Sequence, residues 1–223
     1  MKTDLEIQND VIDELKWETY LKASDIGVSV KNGIVTLSGM VDLYSKKRAA
    51  EQAAYRVDGV QAVAEDILVK FGPTFKKTDS EIAEAVINAM KWHSIIPEDK
   101  IKIKVEDGWV TVTGDVEWTY EKNAVKYAIE NLSGVKGINN MITIKPKMNV
   151  NTATVKQKIE EAFRRNATID SDNIFVENKG NKIVLKGIVR SYAEKNDAEH
   201  ASWNAPGVTE VENKLEVVVP AIY

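Results

Sequence analysis

Apolar positions along this chain follow two rhythms, and the same succession of rhythms comes round three times. Ile7, Val11 and Leu15 recur every four residues, the stripe of an amphipathic helix. Ile26, Val28 and Val30 then alternate with Gly27, Ser29 and Lys31, and alternation resumes with Val35 and Leu37 beyond Asn32-Gly33. The spacing predicts two strands joined by a two-residue hairpin, because Asn-Gly tolerates positive φ at both turn positions. A second helix is expected between Gly39 and Gly59, with Ala53 facing inward and Gly59 just past its end. Val63, Ile67 and Val69 mark a third strand.

The helical stripe returns as Ile82, Val86, Met90 and as Val155, Ile159, Phe163, at offsets of 75 and then 73 residues. Gly39, Gly114 and Gly187 keep those offsets and are expected to end the second strand of each copy. Gly59, Gly134 and Gly207 keep them too, as do the small inward residues Ala53, Ala128 and Ala201. The second hairpin turns at Asp107-Gly108, whereas Asn178-Lys179-Gly180-Asn181 in the third leaves its turn geometry open. Thr3 with Glu6 and Thr78 with Glu81 have capping-box spacing, and Asn151 is the expected N-cap of the third copy. The predicted fold class is α+β: three tandem α-β-β-α-β two-layer sandwiches, each a three-stranded mixed sheet with two helices on one face. Domains are expected over residues 1–71, 76–146 and 149–219, with linkers where proline and lysine break the periodicity. A unit of about 70 residues buries only roughly 60% of its unfolded surface, so contacts between units are expected to add stability.

Composition narrows the function classes. Net charge is −4, from 30 basic and 34 acidic residues, and the three units carry 9 and 12, 10 and 11, and 11 and 11 of each sign. None has the cationic surplus that drives nonspecific nucleic-acid binding, so no nucleic-acid partner is expected. Without cysteine there is no disulfide, thiol catalysis or thiolate metal site. No apolar run approaches the roughly 18 residues that cross a bilayer. The opening MKTDLEIQNDV is an acidic amphipathic helix and not a secretory signal. A cytoplasmic location is therefore expected if Met1 is the native start, and a periplasmic one if an export signal once preceded it.

The hairpin-to-glycine segment Asn32–Gly39 resembles the BON domain, named for bacterial osmotically induced and nodulation proteins. So does the closing pattern Gly-Val-x-x-Val-x-x-x-(Ile/Leu)-x-Val at Gly59–Val69 and Gly207–Val217, with Ile144 closing the middle copy. The resemblance covers nearly the whole chain. It implies non-enzymatic modules tied to envelope maintenance, osmotic stress and phospholipid binding, with a phospholipid surface or an envelope protein as partner. A potassium-binding cytosolic relative makes potassium the alternative ligand. No catalytic motif, cofactor or residue-specific site comes with the resemblance.

Few residues suggest chemistry of their own. His93 and His200 sit at non-equivalent points of two copies, which argues against a two-histidine metal site or a nucleophile–histidine pair. Gly134-Val135-Lys136-Gly137 spells the loop of RNA-binding KH domains, but it joins a helix to a strand and its second glycine does not repeat. Lys46-Lys47-Arg48 at the start of the second helix reads as surface charge that does not recur, with a lipid-headgroup contact as the functional alternative. Alternation places Ile34, Thr36 and Ser38, then Trp109, Thr111 and Thr113, then Phe175, Val184 and Lys186 on the sheet face away from the helices. Trp109 and Phe175 there are expected either to pack on a neighbouring module or subunit or to form a ligand or partner surface. Trp17 and Trp92, equivalent by register with Arg165, are expected to pack at the core edge.

Overall fold

A computed structural model describes residues 2–72, 77–146 and 154–218. The first unit runs α1 (Asp4–Trp17), β1 (Ile26–Lys31), β2 (Ile34–Val41), α2 (Tyr44–Arg56) and β3 (Ala62–Val69). The second repeats it as α3 (Asp79–Lys91), β4 (Ile101–Glu106), β5 (Trp109–Val116), α4 (Thr119–Glu130) and β6 (Gly137–Ile144). The third is α5 (Val155–Arg165), β7 (Ile174–Lys179), β8 (Lys182–Val189), α6 (Tyr192–Trp203) and β9 (Glu210–Val217). In each sheet the middle strand pairs antiparallel with the strand before it and parallel with the strand after the second helix. The chain is α+β, three two-layer sandwiches in tandem.

Each core is closed by its helical stripe. Ile7, Val11 and Leu15, Ile82, Val86 and Met90, and Val155, Ile159 and Phe163 are all buried against the inward residues of their own sheet. The second helix contributes Ala50, Ala53 and Ala54 in the first unit and Val125, Ala128 and Ile129 in the second. Both predicted capping boxes form, at Thr3 with Glu6 and Thr78 with Glu81. Asn151 lies outside the described residues. The carboxylates of Asp4 and Asp79 at the first helical position reach across to the hairpin turns. Asp4 accepts from the backbone N–H groups of Asn32 and Gly33 at 2.8 and 2.9 Å, and Asp79 from those of Asp107 and Gly108 at 2.9 Å each.

Two turn details go beyond the sequence pattern. Asn32 and Gly33, and Asp107 and Gly108, all take positive φ, the type I′ signature. In the third hairpin Lys179 pairs with Lys182, so the loop is Gly180-Asn181, and only Gly180 has positive φ, as in a type II′ turn. Gly39, Gly114 and Gly187 do not end their strands, which continue two residues further. They stand at φ +133°, +143° and +124°, where an added Cβ would come within 2.1, 2.3 and 2.0 Å of the carbonyl oxygens of Asp25, Lys100 and Asn173. The glycine is required because the turn entering the sheet presses its backbone against the strand.

The units touch in all three pairings. Tyr44 packs on the core of the second unit, and the Tyr20 hydroxyl lies 2.8 Å from Ser45 Oγ and 3.5 Å from Asn131 Oδ1. The Thr119 hydroxyl donates to the Trp203 carbonyl at 3.1 Å, and Trp203 packs against both the second and the third core. The rings of Tyr55 and Tyr192 lie 4.9 Å apart and join the first unit to the third.

Candidate functional site

The basic cluster at the start of α2 is taken up locally. Lys46 Nζ lies 2.8 Å from Asp42 and 5.5 Å over the Tyr20 ring, and Arg48 lies 3.0 Å from Glu51. Lys47 sits 3.5 Å from Glu65 and donates to the Ile67 carbonyl at 2.9 Å. The expectation that the cluster does not recur needs correcting at its middle position. Lys122 and Lys195 are the register equivalents of Lys47, and Lys195 likewise donates to the Leu215 carbonyl at 2.6 Å. Facing them from the centre of each third strand is a polar residue on the inward side: Glu65, Asn140 or Asn213. Asn140 and Asn213 each donate to the backbone carbonyl of that lysine and accept from the third strand two residues on. This polar seam between second helix and third strand recurs for structural reasons. Burial pushes the Glu65 carboxyl above its usual range and holds the Lys122 ammonium below its own.

On the outer sheet faces Trp109 is 50% exposed and Phe175 66% exposed, so the expectation that a neighbouring module covers them is not met. Trp109 lies along its own sheet against Gly137, where a Cβ would come within 2.3 Å of the indole. The same cross-strand position pairs Ile34 with Ala62 and Lys182 with Glu210 in the other copies, the latter as a 2.7 Å ion pair. The second glycine of the Gly134–Gly137 segment therefore answers to Trp109 and not to a nucleic-acid backbone. Val184, expected on the outer face, is buried at 1% exposure. Ion pairs Lys186–Glu177, Lys182–Glu212 and Lys214–Glu212 at 2.6, 3.0 and 2.7 Å surround it, and their aliphatic stems account for its cover.

The largest departure from expectation is at the ends of the first helices. Trp17 and Trp92 do not pack at the core edge; they are 83% and 89% exposed. The stripe that fills each core ends at Leu15 and Met90, and the next two residues fall on the opposite side of the helix. Each tryptophan follows a lysine, Lys16 or Lys91, and the third copy has Arg164-Arg165. Three residues on, Tyr20 and Ile95 are also exposed, at 46% and 54%. Lys16 pairs with Asp13 at 2.9 Å in full solvent, while Lys91, Arg164 and Arg165 have no ion pair among the described residues. Two of the three tips set an indole beside a cation at one register position, and the third sets two cations there. The 75- and 73-residue offsets show their shared register, and the signal for their exposure is their place two residues past the last position of the core stripe.

Histidines 93 and 200 are exposed on separate units. Among the described residues no group of three or more His, Asp or Glu side chains is placed to hold a metal ion. No helix among them is long and apolar enough to cross a membrane.

The chain has recognisable relatives among known proteins. Osmotically-inducible protein Y of Escherichia coli (strain K12) is 27% identical over 135 residues, which span 56% of this chain and 64% of that protein, just under two thirds of its length. Among solved structures, CdsD, a structural protein of the Type III secretion system of Chlamydia trachomatis, aligns over 95% of this chain and 92% of its own, with 11% identity and a TM-score of 0.28. The CdsD C-terminal domain aligns over 97% and 100%, with 12% identity and a TM-score of 0.26. The BON domain profile matches residues 3–70, 78–146 and 151–219, one match to each sandwich. The chain belongs to the BON domain family, with three copies of the domain in tandem.

Proposed function

We propose that the protein is a non-catalytic binding and scaffolding protein of osmotic-stress or envelope homeostasis, which associates with anionic phospholipid surfaces. The observation that carries this reading is the pair of solvent-facing tryptophans, Trp17 and Trp92, each beside a lysine and matched by Arg164-Arg165. An indole has an apolar body and a polar N–H, and it partitions to the membrane–water interface. A basic residue near an anionic leaflet gains about 1 kcal/mol, so Lys91, Arg164 and Arg165, which have no ion pair among the described residues, contribute on the order of 3 kcal/mol before ordering costs. Because the whole chain carries net charge −4, this attraction is local and salt-sensitive, decaying within about 10 Å at 0.1 M salt. Trp109 and Phe175 are secondary contacts in this reading. Lys46, Lys47 and Arg48 contribute less, because each has an acidic partner of its own.

Co-sedimentation with vesicles of phosphatidylcholine alone or with phosphatidylglycerol tests the reading. Binding to the anionic vesicles is expected, weakening from 50 to 300 mM salt, and Trp17→Ala with Trp92→Ala should lower the affinity at least tenfold. No binding of the unmodified protein at low salt defeats the proposal.

A further inference from the structure

We infer that the three domains close head-to-tail into a ring with pseudo-three-fold symmetry, and that the ring holds the three helix-end tips at one height as a three-point docking face for a flat anionic bilayer. The docking half rests on the reading above; the ring half does not.

Register supplies the argument. Tyr44, Thr119 and Tyr192 open the three second helices, and Tyr55, Glu130 and Trp203 occupy one equivalent position near their ends. The opening of α4 contacts the end of α6 through Thr119 and Trp203, and the opening of α6 contacts the end of α2 through Tyr192 and Tyr55. The opening of α2 completes the set: Tyr44 lies on the second core, and Tyr20 bridges Ser45 to Asn131, the residue that follows α4. Arg48 and Glu51 of α2 also act on Lys126 of α4, so these two helices face one another. Each junction sets the start of one second helix towards the end of another, in one sense, although the side chains differ. A heterologous contact of this kind propagates as a filament unless its rotation closes. Here the third step returns to the first domain, so closure occurs at three. A repeated step that returns to its origin has no net rise along the axis, and equivalent residues then share a height. Trp17, Trp92 and Arg165 are such a set. Three coplanar tips, each with an unburied indole or guanidinium and an adjacent cation, match a flat anionic surface, and rigid linkage makes the second and third contacts intramolecular.

The chain has no cysteine, so labels can be placed at will. Spin labels on the double variants W17C/W92C, W92C/R165C and W17C/R165C should give three equal mean distances in solution. A 17-to-165 distance near twice the other two would overturn the ring. With a polarity-sensitive fluorophore at 17, 92 or 165, all three positions should shift together on anionic vesicles and be quenched at one depth by lipid-borne quenchers. A shift at one tip only, with binding intact, overturns the docking face and leaves lipid binding standing. No shift and no co-sedimentation defeats both, while the spin-label distances still decide the ring. Opening the first-to-third contact with Y55A/Y192A should lengthen only the 17-to-165 distance and weaken vesicle binding about tenfold.

Discussion

Two glycines of one hairpin separate the cost of backbone conformation from the cost of close approach. Gly180 and Gly187 both stand at positive φ, +72° and +124°, in the third domain. An added Cβ at Gly180 meets nothing within 4 Å, whereas at Gly187 it would lie 2.0 Å from the Asn173 carbonyl oxygen. Gly180→Ala therefore carries only the left-handed strain, about 1–2 kcal/mol, less roughly 0.4–1 kcal/mol recovered from the stiffer unfolded chain. The net is about 1 kcal/mol. Gly187→Ala carries at least that strain, because φ +124° lies beyond the left-handed helical well, and it also forces apart two backbone segments that have no flexible side chain to yield, a further 1–3 kcal/mol or so on the scale of overpacked cores. Its total is about 2–4 kcal/mol or more. A domain of about 70 residues is worth roughly 3.5–10 kcal/mol, so the second substitution removes much of it. With a urea slope of about 1 kcal/mol per molar, the midpoint of the third domain should fall by about 1 M for Gly180→Ala and about 2 M or more for Gly187→Ala. Urea titration read by hydrogen exchange assigns the transition to the domain. Equal midpoints for the two variants would refute the account of the repeated register glycine as a point of backbone contact.

Acid sensitivity follows from the helix-to-turn latch and the outer lattice. Hydrogen bonds from the backbone N–H groups of Gly33 and Asn32 hold the Asp4 carboxyl below its ordinary value of 3.8. A depressed folded-state value means that its stabilisation is fully present above about pH 4 and is lost as pH falls through the folded value. Asp4→Asn should therefore destabilise the first domain at pH 7, with the difference from the unmodified protein shrinking in thermal melts as pH falls below 3.8. Glu212, held at about 2 by hydrogen bonds from Lys214 and Lys182, behaves the same way between its ordinary 4.5 and about 2. Glu212→Gln should flatten the third domain's melting temperature across that window, and an unchanged slope would count against the lattice.

Much of the fold was legible because each copy had to satisfy the same constraints. Period-four stripes, period-two strands and turn glycines describe one domain, and the 75- and 73-residue offsets repeat them in phase. What sequence spacing could not show was contact across elements. Asp4 lies 28 residues from Asn32, and nothing local marks it as the acceptor for a turn. Lys47 read as one of three surface cations because its partners, Glu65 and the Ile67 carbonyl, come from a strand 18 to 20 residues away. Val184 read as solvent-facing because alternation assigns a face but says nothing about the ion-paired stems that cover it. For Trp17 and Trp92, an indole near the end of a core-facing helix suggests core-edge packing, but their place just beyond the stripe turns them outward.

Small-angle X-ray scattering of the intact chain tests most directly whether the three domains form one closed body. A compact 223-residue particle has a radius of gyration of about 17 Å, whereas three bodies of about 11 Å strung in a line give about 23 Å or more. The closed ring predicts a value near the first figure, unchanged with salt. A value near the second would contradict it.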